Sequence, residues 1–148
     1  MRGKSLPAFR NEPYTDFTVP GHRQDMLAAL AEVSKRLGRE YALRIDGAAR
    51  RTEGKLISRN PSRPREVIGT HQKATPELAA QAVDCADAFF SEWSRTPAEL
   101  CAKMLLAAAR ILRRRKFEFN AWLSFEAGKT WPEAEAETCE AIDFCEYY

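Results

Sequence analysis

A mostly helical α+β fold is what this sequence predicts: an N-terminal helix, a short β-hairpin and strand, then three helices. Two observations carry that expectation. Between residues 75 and 148 the chain shows helix-start signatures followed by apolar residues at three-and-four spacing. Between residues 41 and 71 it shows short period-two stretches separated by Asp-Gly and Asn-Pro punctuation.

Residues 1–18 are polar and proline-punctuated, and they read as a loosely held arm. From Val19-Pro20 to Leu37 a helix is expected, with Met26, Leu27, Leu30, Val33 and Leu37 on one face and Gly38 as its stop. Tyr41, Leu43 and Ile45 alternate as in a half-buried strand, and Asp46-Gly47 is a turn. A second strand is expected at Lys55 to Arg59, broken by Asn60-Pro61 and Pro64, and a third, short one at Glu66 to His71.

The helical half opens at Thr75-Pro76-Glu77. A capping side chain, a proline that has no N–H to leave unpaired and an acid facing the helix dipole start a helix there. Its stripe is Ala79, Ala82, Ala86, Phe89, Phe90 and Trp93. Thr96-Pro97 with Glu99 repeats the signature, and the pattern runs to Ala127, with Leu100, Met104, Leu105, Ala108, Ile111 and Leu112 on one face. A helix that long would span about 45 Å, so a bend or break is expected near the basic run Arg113 to Lys116. Gly128 stops it, and Thr130 caps a last helix rich in acids: Glu133, Glu135, Glu137, Glu140, Asp143 and Glu146. The sequence stops at Tyr147-Tyr148 with no C-cap, which reads as a cut.

Composition excludes several classes. No apolar run approaches 18 residues, so no membrane span is expected, and the first residues lack the apolar core of a secretory signal. Residues 1–73 carry a net +7 and residues 74–148 a net −5. Two parts of one fold facing each other explain this better than a nucleic-acid arm, since no aromatic-interleaved basic patch accompanies the charge. Cys85, Cys101, Cys139 and Cys145 fall on predicted helices with no C-x-x-C pair, as buried free thiols of a reduced, cytoplasmic chain would.

Motifs for chemistry are sparse. His22 and His71 have no ligand spacing, so no metal site is expected. No G-x-G-x-x-G, phosphate loop or G-x-S-x-G is present. Gly128-Lys129-Thr130 follows a helix rather than a strand, so it reads as a helix stop followed by a new cap. Arg113 to Lys116 reads as a solvated surface partly paired with the acidic last helix, and the acidic row itself as a solvated face.

Several blocks together carry a resemblance. Ile45-Asp-Gly47, Asn60-Pro61-Ser62, Glu66-Val-Ile-Gly69, Ala82 to Phe89 with Trp93, and Phe125-Glu126-Ala127-Gly128-Lys129 resemble the opening of an aldehyde dehydrogenase. Arg10-Asn11-Glu12-Pro13, Leu112 to Glu118, and Glu140-Ala-Ile-Asp-Phe144 with Glu146-Tyr147-Tyr148 are similar to one branch, the 1-pyrroline-5-carboxylate (L-glutamate γ-semialdehyde) dehydrogenases. Gly21, Arg50-Arg51 and the four cysteines depart from that pattern without breaking an element.

The resemblance implies that residues 1–148 are an incomplete, N-terminal part of an α/β cofactor-binding domain. It implies NAD as the cofactor of a complete enzyme in which a cysteine thiolate attacks the aldehyde and a glutamate activates water. Both residues would lie downstream of residue 148, so neither a catalytic nor a cofactor-binding residue is expected within this chain, and the chain alone is expected to be inactive. A small-molecule substrate and a homo-oligomer are implied for the complete enzyme. Glu140 matches a glutamate that the branch places near the mouth of the substrate tunnel, where a carboxylate suits a substrate bearing an ammonium group; one more solvated acid is the competing reading. A non-catalytic helical interaction module derived from the same N-terminus is the alternative function.

Overall fold

The structure is a computed structural model and describes residues 8–148. Its helices are α1 (Pro20–Ser34), α2 (Pro76–Trp93), α3 (Ala98–Arg114), α4 (Lys116–Ala127) and α5 (Trp131–Tyr147). Its strands are β1 (Arg39–Tyr41), β2 (Leu43–Ile45), β3 (Ala48–Arg50), β4 (Lys55–Asn60) and β5 (Arg63–Gln72). The mostly helical α+β expectation is met. No helix is long and apolar enough to cross a membrane among the described residues.

The strands differ in detail from their sequence pattern. The alternating run from Tyr41 is two strands in different sheets. β1 pairs in parallel with β5, whereas β2 forms a hairpin with β3, an element the sequence did not suggest. Asp46 (φ 51°) and Gly47 (φ 70°) turn that hairpin with two positive φ values, the geometry that matches strand twist. The third strand is ten residues long and central, in the order β1-β5-β4. Pro64 does not break it, because Asn60 pairs directly with Arg63 and the register shifts around Arg59 to accommodate the tight turn.

Helix starts and stops follow local chemistry. The Thr75 hydroxyl accepts from Leu78 N–H, and Thr130 and Glu133 form a reciprocal capping box. At the third start the cap is Pro97 rather than Thr96: the Pro97 carbonyl accepts the first helical bonds, from Leu100 and Cys101. α1 ends at Ser34, short of Leu37, with Gly38 at φ 75° closing the turn that follows. The expected break falls at Arg115 (φ −107°, ψ 20°), between α3 and α4. Gly128 (φ 69°) ends α4, and a Cβ there would lie 2.8 Å from Pro61 Cγ.

The core lies where α1 crosses α4. Met26, Val33 and Ala121 are fully buried, with Phe17, Phe117, Trp122 and Trp131 around them. α4 also packs on α5 and β4, so it is the central element, while α3 rests on α5. On α3, Leu100, Met104 and Ile111 are exposed, and it is Ala109 that is buried. Residues 8–16 run against α5 and α3 through contacts of Asn11, Glu12 and Thr15 with Asp143, Arg113 and Glu135; residues 1–7 lie outside the described part.

Candidate functional site

The acidic last helix divides into two faces. One is buried: Ala134, Glu135, Thr138, Cys139 and Ile142, at the spacing of a helix stripe. The other, with Glu140 and Phe144 exposed, borders an open groove lined also by Phe9, Asn11, Asp143, Tyr147 and Tyr148. The sequence reading of the whole acidic row as solvated is therefore wrong at Glu135, which is 2% exposed.

Glu135 is tolerable inside because it is fully answered. Lys116 Nζ lies 2.8 Å from Oε1, the Thr15 backbone N–H donates at 2.7 Å, and Asn120 Nδ2 donates to Oε2 at 2.6 Å. Burial pushes this carboxyl up, but the hydrogen bonds from Lys116, Thr15 and Asn120 outweigh it and hold it below the ordinary carboxylate range. Nearby, Arg113 bonds both Glu12 and Glu146 at 2.7–2.8 Å, and those two acids raise its pKa. The basic run thus pairs with α5, as expected from sequence, but also with the arm.

Cys139 lies inside this network, 3.5 Å from Glu135 Oε1 and 3.9 Å from the Pro13 carbonyl. Burial and the Glu135 charge push its thiol up to about 12, the opposite of what a thiolate nucleophile needs. All four cysteines are free. Cys85, Cys101 and Cys145 are half-buried rather than buried, a correction to the sequence reading.

Glu140 stands apart from these pairs. Among the described residues it has no hydrogen-bond or ion-pair partner, and its carboxylate borders the groove. The rim is aromatic: Phe9 and Tyr147 meet edge-on with centroids 5.3 Å apart, Tyr147 and Tyr148 at 5.1 Å, and Phe144 and Tyr148 at 6.0 Å. An uncommitted carboxylate beside ring faces can attract a cation. A second groove, beside Tyr41, His71 and Trp122, holds Arg36 and Arg115, but both guanidiniums are spent on Glu118.

The turn between β5 and α2 is not a glycine-rich phosphate cradle. β5 leads into α2 through Lys73-Ala74-Thr75-Pro76, with no glycine to let a pyrophosphate approach. The Thr75 side chain accepts the Leu78 N–H, and Glu77 places a carboxylate in the first turn. Gly128-Lys129-Thr130 joins two helices, its glycine is packed against Pro61, and Lys129 pairs with Glu137. The sequence missed Glu135, Asn120 and the arm contacts as parts of one cluster. The signal was the buried stripe on α5, hidden because one of its members is charged.

The aldehyde dehydrogenase family pattern matches residues 49–148, and the chain belongs to that family. Its relatives narrow the likeness. The chain is 55% identical over 140 residues to 1-pyrroline-5-carboxylate dehydrogenase of Geobacillus thermodenitrificans, covering 95% of this chain and 27% of that protein. It is 54% identical over the same length to the enzyme of that name from Geobacillus kaustophilus, again covering 27% of it. Among solved structures, 1-pyrroline-5-carboxylate dehydrogenase from Thermus with bound NAD superposes with a TM-score of 0.94 at 43% identity, over 98% of this chain and 28% of that one. Proline utilization A from Bdellovibrio bacteriovorus superposes at 0.93 and 36% identity, over 98% of this chain and 15% of that one. The chain therefore spans about a quarter of the length of the curated relatives it matches.

Proposed function

We propose that residues 1–148 are the N-terminal portion of the cofactor-binding domain of an NAD-dependent dehydrogenase that oxidises L-glutamate γ-semialdehyde (1-pyrroline-5-carboxylate) to glutamate in proline degradation. The complete enzyme acts in the cytoplasm as a homo-oligomer, and this chain alone is catalytically silent. The observation that carries the reading is identity spread over 95% of the chain to relatives that share one enzyme name. Two features of the site support the silent fragment. Cys139 has a raised thiol pKa, and the turn between β5 and α2 carries a proline and an acid at the helix start instead of a glycine-rich phosphate cradle.

Within that enzyme Glu140 recognises the ammonium group of the substrate at the entrance. Its charge acts on the amino acid end and not on the aldehyde carbon where bonds change. A helical interaction module is the second reading, favoured by α2, which has no buried residue and offers an apolar stripe to a partner.

The test has two parts. The 148-residue chain should form no NADH from the semialdehyde and NAD; a saturable signal would overturn the silent-fragment reading. A chimera should then be built, in which the chain continues into the residues of the Geobacillus thermodenitrificans relative that follow the matched stretch. It should oxidise the semialdehyde, and a folded, NAD-binding chimera without that activity counts against the dehydrogenase reading. In the chimera Glu140→Gln should raise KM about two- to fivefold and spare kcat, the pattern of lost uniform binding through a partly exposed charge. An unchanged ratio of kcat/KM between the semialdehyde and an uncharged aldehyde of similar length, measured at low salt, returns Glu140 to the solvated face.

A further inference from the structure

Three residues beyond Glu140 on α5 stands a second groove carboxylate, Asp143, and it is committed entirely to the arm. Its Oδ2 accepts from Asn11 Nδ2 at 2.8 Å and its Oδ1 accepts the Glu12 backbone N–H at 2.7 Å. Residues 8–16 form no helix or strand, so their backbone N–H groups have no regular partners. The clasp therefore fixes the path of this stretch. It holds Phe9 edge-on to Tyr147 and keeps Phe9 and Asn11 in the lining of the groove that Glu140 borders.

We infer that Asp143 is a positioning residue: by clasping Asn11 and the Glu12 amide it makes the N-terminal arm a fixed wall of the entrance groove. The inference rests on the reading of Glu140 given above. The geometry confines the effect to one end of the arm. Past the clasp, the Glu12 carboxylate is held by Arg113 and the Thr15 N–H by Glu135, so residues 12–18 keep their anchors when Asp143 is lost. Only the stretch through Phe9 and Asn11 is freed. That end shapes the groove, whereas the anchored part covers Cys139 through the Pro13 carbonyl.

The first measurement uses the 148-residue chain. Asp143→Ala removes both acceptors, and Asn11→Ala removes a donor without touching α5. Both should speed tryptic cleavage after Arg10, about tenfold or more for Asp143→Ala, which loses two bonds to a charged group. Thiol labelling of Cys139, in a background with the other three cysteines changed to serine, should stay as slow as before. Unchanged cleavage after Arg10 in both variants overturns the clasp. Cys139 labelling that accelerates along with cleavage overturns the confinement to one end and points to general loosening.

The second measurement uses the chimera. Asp143→Ala should raise KM for the semialdehyde about two- to threefold, with little change for an uncharged aldehyde of similar length. Simple destabilisation would instead lower kcat for every aldehyde at constant KM. If Glu140→Gln moves the substrate ratio and Asp143→Ala does not, the positioning role is wrong and the Glu140 reading stands. If neither moves it, the Glu140 reading falls and this inference with it.

Discussion

The α4–α5 side of the molecule and the α2–α3 side are built from equally good helices, yet they are finished to different degrees. On the first, the buried carboxylate of Glu135 is held by Lys116, Thr15 and Asn120, and Ala121 and Ile142 have no exposed surface. On the second, α2 buries nothing. Phe89, Phe90 and Trp93 are 44–61% exposed, and Leu100, Met104 and Ile111 of α3 are 42–50% exposed. The comparison separates helix formation, which needs only caps and periodicity, from helix burial, which needs a partner. Apolar exposure of this extent marks a face that another surface covers.

The sharpest way to break the comparison is to damage the finished side at its most costly point. Lys116→Met should cost about 3–5 kcal/mol in urea denaturation followed by far-UV circular dichroism, because it strands Glu135 inside without its cation. Restoring neutrality with Glu135→Gln in the same chain should recover much of that loss. A loss under about 1 kcal/mol would mean that Glu135 is solvated and the two sides are alike.

Truncation offers a matched pair. Met26→Ala should cost about 2–5 kcal/mol by opening a cavity in a fully buried site. Phe90→Ser, at a position 61% exposed on α2, should change stability by no more than about 0.5 kcal/mol while lowering aggregation and the binding of dyes that report apolar surface. Equal costs at the two positions would erase the distinction.

A smaller loss than that at Met26 is expected as an acid limb. Hydrogen bonds from Arg115, and from Arg36 in the turn after α1, hold Glu118 at a pKa of about 2, against 4.5 when unfolded. A lowered folded value means this stabilisation is fully present above pH 4.5 and fades as pH falls toward 2. Glu118→Gln should flatten that part of the stability profile and leave neutral-pH stability lower by about 1 kcal/mol.

The elements most legible in the sequence were those whose signals are local. Thr75-Pro76-Glu77 and Thr130-x-x-Glu133 name their caps outright, Gly128 its stop, and Asp46-Gly47 its turn. What sequence reading missed depends on distant partners. Tyr41 and Ile45 share one alternating pattern but lie on opposite sides of a break at Ala42 and pair with different strands, and only β5 decides that for β1. On α3, periodicity reports that a face is apolar and not which neighbour it meets. At the groove, Glu140 was singled out from a resemblance and not from its spacing. The clasp at Asp143 lay between two quoted blocks, Arg10 to Pro13 and Glu140 to Phe144, that nothing in one dimension joins.

Pro61 pressed against Gly128 has a consequence for how this sequence tolerates change in length. The described residues form two hairpin turns, and they are unequal hosts. Beyond Gly47 there is open space, with nothing within 4 Å of where a side chain would begin. Added residues at that tip extend into solvent. The turn at Pro61 is wedged into the corner between α4 and α5, where even one methyl group on Gly128 would collide with it. An extra residue there would lift the hairpin off that corner and carry the entry of α5, with its carboxylates, away from the arm. Insertions and fused tags accordingly belong at Asp46-Gly47, and length is fixed at Asn60 to Arg63.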